Sequence, residues 1–297
     1  MKILSGNSLI FSIIIILLAV INSYSQPQQF IIKGTEVREI KSGIDGREYK
    51  LFVSLPSSYS TDMQKKYPVV YFCDGFYDFA LFTSIHGSGV WDKTISESIL
   101  VGFAYGGENP NNDSLRRYDY SPTKAMQENG VEEGGGAANF LNIVQNEFIH
   151  FVEANYRVDT SFRALGGSSM GGLFTMYAMF TNPGLFNAYM AVSPALIWNN
   201  GWLVKYEEEF YKKNKELPVS FFMSVAEFDL PQLPQFLPAV KRMNDILEKR
   251  NYENFRYRFH FVEDAHHSGT KPEGYTRAMK FIFAPLMQSD STSAGPH

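Results

Sequence analysis

The chain has 297 residues, of which 44% are hydrophobic and 20% are charged, and its formal net charge is −4. Such a composition is typical of a globular protein with one large domain or two small ones. The negative net charge, with no cluster of lysine and arginine, argues against nucleic acid as a partner. Neither an internal repeat nor an interdomain linker is evident, so a single main domain is expected.

The first 25 residues have the pattern of a targeting segment. Lys2 supplies the positive charge, Leu9–Ile21 is apolar, and small residues at Ser23 and Ser25 suit a cleavage site. The apolar run is short for a membrane span, although an uncleaved anchor is the alternative. We therefore predict a signal peptide over residues 1–25 and an exported protein, periplasmic or secreted, without stable membrane association after cleavage.

The rest of the chain alternates strand and helix patterns. Polar and apolar residues alternate in Thr35–Ser42 and Arg47–Leu55, on either side of a turn signal, which predicts a hairpin. Further strands are predicted at Val69–Cys73, Leu100–Ala104, Tyr189–Val192, Val219–Val225 and Phe255–Val262. Helices are predicted at Asn139–Tyr156, Leu237–Lys249 and Tyr275–Leu286. The order predicts an α/β domain over residues 26–288, with a mostly parallel sheet, helices on both faces and an N-terminal antiparallel hairpin. A disordered tail is predicted over residues 289–297.

The cysteine content indicates how the fold is stabilised. The only cysteine is Cys73, so an exported form has no internal disulfide. Because Cys73 lies in an apolar run, we expect it to be buried and not to act as a nucleophile.

The central motif is G-x-S-x-G at residues 167–171, between an apolar run and a helical pattern. A serine on a sharp strand-to-helix turn leaves no room for flanking side chains, and Gly167 and Gly171 meet that requirement. The turn would expose the Ser169 hydroxyl and aim the Met170 amide at an oxyanion formed there. The motif alone is common, but the strand before it and the helix after it favour Ser169 as a nucleophile.

A serine nucleophile needs a base, usually a histidine that a carboxylate orients. In such a sheet the chain order is serine, acid, histidine, each just past the end of a strand. Four histidines fit less well because they precede the serine, lie within a strand or lie in the tail: His86, His150, His260 and His297. The remaining two follow the strand Phe255–Val262. Of these we prefer His266, with His267 as the alternative.

The acid is expected after the strand Val219–Val225, where Glu227 and Asp229 follow. Both would point to the same side of an extended chain, so spacing alone does not separate them. We prefer Asp229 because it lies further past the strand end and because its shorter side chain loses less entropy when ordered. Glu227 is the alternative.

Several motifs in order resemble the Putative esterase, or esterase D, branch of the α/β-hydrolases, which includes enterobactin-type siderophore esterases and feruloyl or acetyl xylan esterases. The resemblance runs from about Lys33 to Leu286. The motifs that carry it are Arg47–Tyr49 with Leu55-Pro56, Tyr67-Pro68 with Asp74-Gly75, Arg116–Pro122, Gly167–Gly172, Ser193-Pro194 with Trp198, Val225–Asp229 and Glu263–His266. Ala226 replaces the glycine of the family's acid turn. Some siderophore esterases of this type are thought to use a Ser–His dyad, which is therefore a further alternative.

The resemblance implies an α/β-hydrolase fold and two-step hydrolysis of a small-molecule ester. Ser169 would attack the carbonyl, and His266 would take its proton and return it to the leaving alcohol. Backbone amides of Met170, Gly75 and Phe76 would hold the oxyanion. The resemblance implies neither a metal nor a cofactor, and the sequence has no cluster with metal-ligand spacing.

Two further residues are candidates for binding substrate. The long segment Tyr105–Ala138 follows a predicted strand and is rich in glycine, asparagine and charge, which predicts a mobile flap beside the site. Within it Arg116 could hold an anionic group, or it could pair with Asp119 to fold the segment. Trp198 could stack on an aromatic or sugar ring, or it could form the core of a helix pair.

The leading interpretation is a serine carboxylic ester hydrolase that acts on siderophore or acylated-sugar esters. One alternative is a binding protein on the same scaffold, against which the intact serine, histidine and acid argue. The other is a serine peptidase, because the same triad cleaves amides.

Overall fold

The computed structural model describes residues 30–127 and 130–293. The predicted signal peptide lies outside the described residues, so export stays a prediction. The chain divides into the units Met1–Lys33 and Gly34–His297, and the elements below belong to the second. Among the described residues, no helix is long and apolar enough to cross a membrane.

Ten strands lie within the described residues. They are β1 (Thr35–Lys41), β2 (Glu48–Ser54), β3 (Tyr67–Phe72), β4 (Ile99–Tyr105), β5 (Lys124–Met126), β6 (Glu132–Gly134), β7 (Val158–Ser168), β8 (Ala188–Val192), β9 (Ser220–Phe228) and β10 (Arg256–His266). Eight of them form one sheet in the order β1-β2-β4-β3-β7-β8-β9-β10, while β5 and β6 form a separate small hairpin. The pairs β1–β2 and β2–β4 are antiparallel and the remaining pairs of the large sheet are parallel.

Eight α-helices lie in the same part of the chain. They are α1 (Gly75–Trp91), α2 (Asn112–Asp119), α3 (Ala137–Ile143), α4 (Ile149–Asn155), α5 (Met170–Thr181), α6 (Trp198–Lys213), α7 (Phe236–Lys249) and α8 (Thr270–Ser293). A π-helical turn, Val144–Phe148, joins α3 to α4.

The core consists of two apolar layers, one on each face of the sheet. Alternate residues of each strand enter opposite layers, as Tyr71 and Phe72 of β3 do. Side chains of α1 and α8 complete one layer, and those of α3 to α7 complete the other. Since both faces are covered, the central strands are apolar throughout rather than alternating, and every residue of β4 and β8 is buried.

The strand order reverses beside β3, because β4 lies on one side of it and β7 on the other. In open α/β sheets, a crevice forms at the carboxyl ends of the strands where the order reverses. The carboxyl end of β3 leads into Gly75, and that of β7 leads into Ser169. The topology therefore brings the two predicted halves of the site to one place.

The fold class predicted from the sequence is confirmed, with differences at three places. Helix α1 was not expected. The predicted flap contains α2 and the β5–β6 hairpin. Helix α8 runs to Ser293, past the boundary at 288 where the tail was predicted to begin.

Candidate active site

Ser169 occupies the turn between β7 and α5 with φ 57° and ψ −117°, a conformation that costs energy in any residue with a side chain. Its amide donates a hydrogen bond to the Val192 carbonyl at 3.0 Å, which fixes the turn against β8. A methyl group on Gly167 would lie 2.3 Å from the Gly171 carbonyl oxygen. The glycines are therefore required by the close approach of the turn to itself, as the motif predicts.

Two helices begin side by side at this turn. Met170 is the first residue of α5, and Gly75 and Phe76 are the first two residues of α1. A methyl group on Gly171 would lie 2.8 Å from Cβ of Cys73 and 3.2 Å from a carboxylate oxygen of Asp74, so the two helix starts are in direct contact. First-turn amides point out of a helix and favour negative charge. The arrangement suits the predicted oxyanion role of these three residues.

Asp229 lies just past β9 and is only 4% exposed. Its carboxylate accepts three hydrogen bonds, from the Ser193 hydroxyl at 2.5 Å, the Ala226 amide at 3.1 Å and the His267 Nδ1 at 2.5 Å. Three donors compensate a buried carboxylate for the water it has lost. Asp229 is therefore held in one position, in direct contact with an imidazole ring.

The histidine on Asp229 is His267, and the expected pairing of the acid with His266 is wrong. Strand β10 does not end at Val262: it continues through a register shift to His266, which lies opposite Phe228 of β9. His266 is exposed, with its ring centroid 5.5 Å from that of Phe228. His267 is the first residue past the strand, and the edge-on ring of Phe236 lies 5.4 Å from it.

Glu227, the alternative acid, is engaged elsewhere. Its carboxylate accepts the amide of Asp264 at 3.0 Å, inside the register shift of β10. Asp264 has φ 52°, so this hydrogen bond stabilises an unfavourable turn. Glu227 shapes the loop that carries the histidine, whereas Asp229 contacts the histidine itself.

The pairing fixes the imidazole tautomer. An ionised carboxylate only accepts, so Nδ1 of His267 carries the proton that it shares with Asp229. In the neutral ring Nε2 is then an unprotonated base. The His267 side chain is 21% exposed, and Nε2 is thus the ring nitrogen available to a reacting group.

Arg116, the candidate for an anionic substrate group, is committed to Asp74. It donates two hydrogen bonds of 2.7 Å to that carboxylate. Burial opposes the charge, but the hydrogen bonds and negative charge of Asp74 raise the pKa of Arg116 above its ordinary value. The expected partner Asp119 instead accepts from Arg47 at 2.7 Å. Since Asp74 directly precedes α1 and has φ 58°, Arg116 secures the turn next to the predicted oxyanion amides.

Trp198, the second candidate for substrate contact, ties the segment of residues 105–138 to α6. Its indole N–H donates to the Thr123 carbonyl at 2.9 Å, and its ring packs against Gly134 and the apolar core. The alternative of a core position is the one that the structure favours. The neighbouring Trp202 is stacked on Tyr206 with ring centroids 4.7 Å apart.

An ion pair joins α1 and α8, which pack on the same face of the sheet. Asp78, in the first turn of α1, is 3% exposed and accepts from Lys271 of α8 at 2.8 Å. Burial raises the pKa of Asp78, although the charge of Lys271 opposes that shift. Lys271 follows His267 by four residues, so the pair connects the histidine loop to the helix that begins at Gly75.

Sequence reasoning missed the polar residues that support this site. Ser193 was noted only within its motif, and Asp78 and Lys271 were not noted. The Ser193-Pro194 dipeptide directly after a strand was a usable signal, because a polar residue there reaches the end of the next strand. Nothing local in the sequence pairs residues 193 positions apart, as Asp78 and Lys271 are.

A serine on such a turn, followed along the chain by an acid and a histidine beyond later strands, defines the serine hydrolases of the α/β-hydrolase class. The family model described as Putative esterase matches residues 42–275, and the chain belongs to that family. It is accordingly a carboxylic ester hydrolase.

Two relatives are similar in sequence to more than half of this chain. The ferri-bacillibactin esterase BesA of Bacillus subtilis is 27% identical over 269 residues, which cover 86% of this chain and 92% of that protein. The siderophore triacetylfusarinine C esterase of Aspergillus fumigatus is 29% identical over 179 residues, or 57% of this chain and 59% of its own.

Solved structures show the same fold. The BES protein from Bacillus cereus superposes with a TM-score of 0.76 at 25% identity, covering 88% of this chain and 99% of that one. The siderophore hydrolase EstA from Aspergillus nidulans gives a TM-score of 0.71 at 23% identity, covering 90% and 98%.

Proposed function

We propose that this protein hydrolyses esters of the siderophore type with Ser169 as nucleophile, His267 as base and Asp229 as the acid. The observation that carries the proposal is the contact of His267 with the buried Asp229, at the sheet edge that also carries Ser169. The names of the relatives BesA and the triacetylfusarinine C esterase support the substrate class.

The reaction proceeds in two acyl transfers. Nε2 of His267 takes the Ser169 proton as Oγ attacks the ester carbonyl, and Asp229 stabilises the imidazolium. Amides of Met170, Gly75 and Phe76 hold the oxyanion of the tetrahedral intermediate. The imidazolium gives its proton to the leaving alcohol, and a water activated by the same nitrogen then releases the acid from Ser169. Both half-reactions use one base and one oxyanion site.

The test replaces the nucleophile and compares substrate classes. Ser169→Ala should fold normally and lose p-nitrophenyl acetate hydrolysis by at least about 10³-fold, because the neighbouring hydroxyl of Ser168 is buried at the end of β7 and offers no replacement nucleophile. A cyclic catecholate siderophore ester, a feruloyl sugar and an acetylated sugar are then compared by kcat/KM. Turnover by Ser169→Ala within tenfold of the wild type would place the nucleophile elsewhere, and preference for either sugar ester would overturn the substrate class alone.

A further inference from the structure

An apolar recess of about 540 Å³ lies between α6 and α7. Its walls include Leu196, Val204, Leu233 and Ala239. This volume lies within the range of pockets that hold small organic ligands. None of these residues belongs to the proposed catalytic machinery.

The cavity adjoins the site on the side of the acid. A second cavity of about 280 Å³ is lined by Asp229 and Phe228, and both cavities are bounded by Leu233 and Pro234. The wall at Leu196 is also near Ser169 along the backbone, because the amide of the preceding Ala195 donates to the Ser169 carbonyl at 2.9 Å. A group bound in the larger cavity can therefore belong to a substrate whose ester lies at Ser169.

The charged residues that line the larger cavity indicate which kind of chemical group it would bind. Arg242 of α7 is the one ionisable residue among those that line the larger cavity, and no acidic side chain joins it. No ion pair of Arg242 occurs among the described residues, in contrast to Arg116, which is neutralised by Asp74. Asn200 and Gln235 add neutral amide groups. An unneutralised guanidinium at an apolar recess attracts a carboxylate or similar anion.

We propose that this cavity binds an arm of the substrate that combines an apolar chain or ring with a negative charge, and that Arg242 sets the preference for the charge. The inference rests on the proposed function, since it assigns a specificity site for the same ester. The residue that we expect to bind an anionic group is therefore Arg242, because Arg116 is already paired with Asp74.

The experiment measures KM for esters that differ only in one charge. The acyl-side pair is mono-p-nitrophenyl suberate and its terminal amide, and the alcohol-side pair is 8-acetoxyoctanoate and its amide. In one of the pairs, the acid should have a KM about three- to tenfold lower than the amide, as expected for one charge-assisted contact with the exposed side chain of Arg242. Arg242→Gln should abolish that difference, while kcat for p-nitrophenyl acetate stays unchanged.

The matched control is Lys241→Gln, which removes the neighbouring cation of α7 that lies over Phe261 and outside the cavity. It should retain the preference for the acid. A filling variant, Ala239→Trp, should raise KM for the acid and the amide of the pair that shows the preference, and it should leave p-nitrophenyl acetate hydrolysis unaffected. Equal KM values for acid and amide in both pairs, or a preference that survives Arg242→Gln, would overturn the assignment. The Ser169→Ala variant tests the proposed function separately, so a failure of the cavity assignment does not affect that test.

Discussion

The two adjacent histidines His266 and His267 have different environments. His267 donates to the buried Asp229, whereas His266 is still part of β10 and is exposed. We predict that His267→Ala lowers kcat for p-nitrophenyl acetate about as severely as Ser169→Ala, because triad members act as a unit. His266→Ala should stay within about tenfold of the wild type.

The same two variants also show which outcome would contradict this prediction. Circular dichroism and urea unfolding establish that both variants fold. If His266→Ala is the crippling change and His267→Ala is mild, the base is His266 and the contact with Asp229 is structural.

The sequence could predict the positions of Ser169 and Asp229 in the fold but not which histidine contacts Asp229. The serine is specified by a local pattern of glycines, and the acid by its distance past a strand. The choice between His266 and His267 depends on a register shift between Val262 and His266 that moves the end of the strand by four residues. Such an irregularity depends on hydrogen bonds to β9, including the one from Asp264 to Glu227, and no local pattern in β10 predicts it.

Helices α1 and α8 hold the two halves of the site in one arrangement. The contact between Asp78 and Lys271 connects the helix of the predicted oxyanion amides with the loop of His267. We predict that Asp78→Asn lowers kcat for p-nitrophenyl acetate about tenfold with little change in KM. It should also lower the free energy of unfolding by about 1–3 kcal/mol, because it leaves the half-buried ammonium group of Lys271 without its counterion.

The control for that prediction lies on the same helix. Arg277 and Glu273 form an exposed ion pair in α8, and Arg277→Gln should change neither kcat nor stability appreciably. Restoring the carboxylate with Asp78→Glu should recover part of the lost kcat. An Asp78→Asn protein that is less stable but keeps the kcat of the wild type would show that the pair only stabilises the fold.

At the level of elements, strands were easier to predict than α1. Strands β3, β4 and β9 are short apolar runs rich in β-branched and aromatic residues, and their type follows from composition. Helix α1 has exposed aromatic residues at Phe76 and Tyr77 and two internal glycines at 87 and 89, so its sequence lacks a helical pattern. Its position is set by tertiary contacts, among them the Asp78–Lys271 pair.

Stability of the whole molecule should depend on pH through one core histidine. His86 is 6% exposed, and its Nε2 accepts the Ser98 amide at 3.1 Å. Burial lowers the pKa of His86 from 6.5 to about 4. Below pH 6.5 the unfolded chain binds a proton at His86, whereas the native protein binds one there only below about pH 4. The free energy of unfolding should therefore fall by about 3 kcal/mol on this account as pH drops through that window.

The contribution of His86 can be measured by urea unfolding of the wild type and of His86→Gln at several pH values from 4 to 7.5. The glutamine oxygen can still accept the Ser98 amide, but it does not titrate. The difference in unfolding free energy between the two proteins should shift in favour of the variant as pH falls from 6.5 to 4. A difference that stays constant over this range would mean that His86 is protonated equally in both states.

The α/β class and the N-terminal hairpin followed from the sequence, because a hairpin and then alternating strands and helices admit few arrangements. The extension of α8 to Ser293 did not, since the polar residues after Leu286 have no apolar pattern to mark a helix. The cavity between α6 and α7 was also not foreseen, because it is lined by residues from separate segments of the chain.

Cys73 is completely buried at the end of β3, and burial raises the pKa of its thiol well above the ordinary value. It is also the only cysteine of the chain. A thiol introduced on the surface is consequently the sole one that maleimide can alkylate in the folded protein. Met126 of the β5–β6 hairpin is 66% exposed, so Met126→Cys offers a single attachment point for a fluorophore without prior removal of a native thiol. The native sequence is thus already suited to single-molecule observation of the hairpin during turnover.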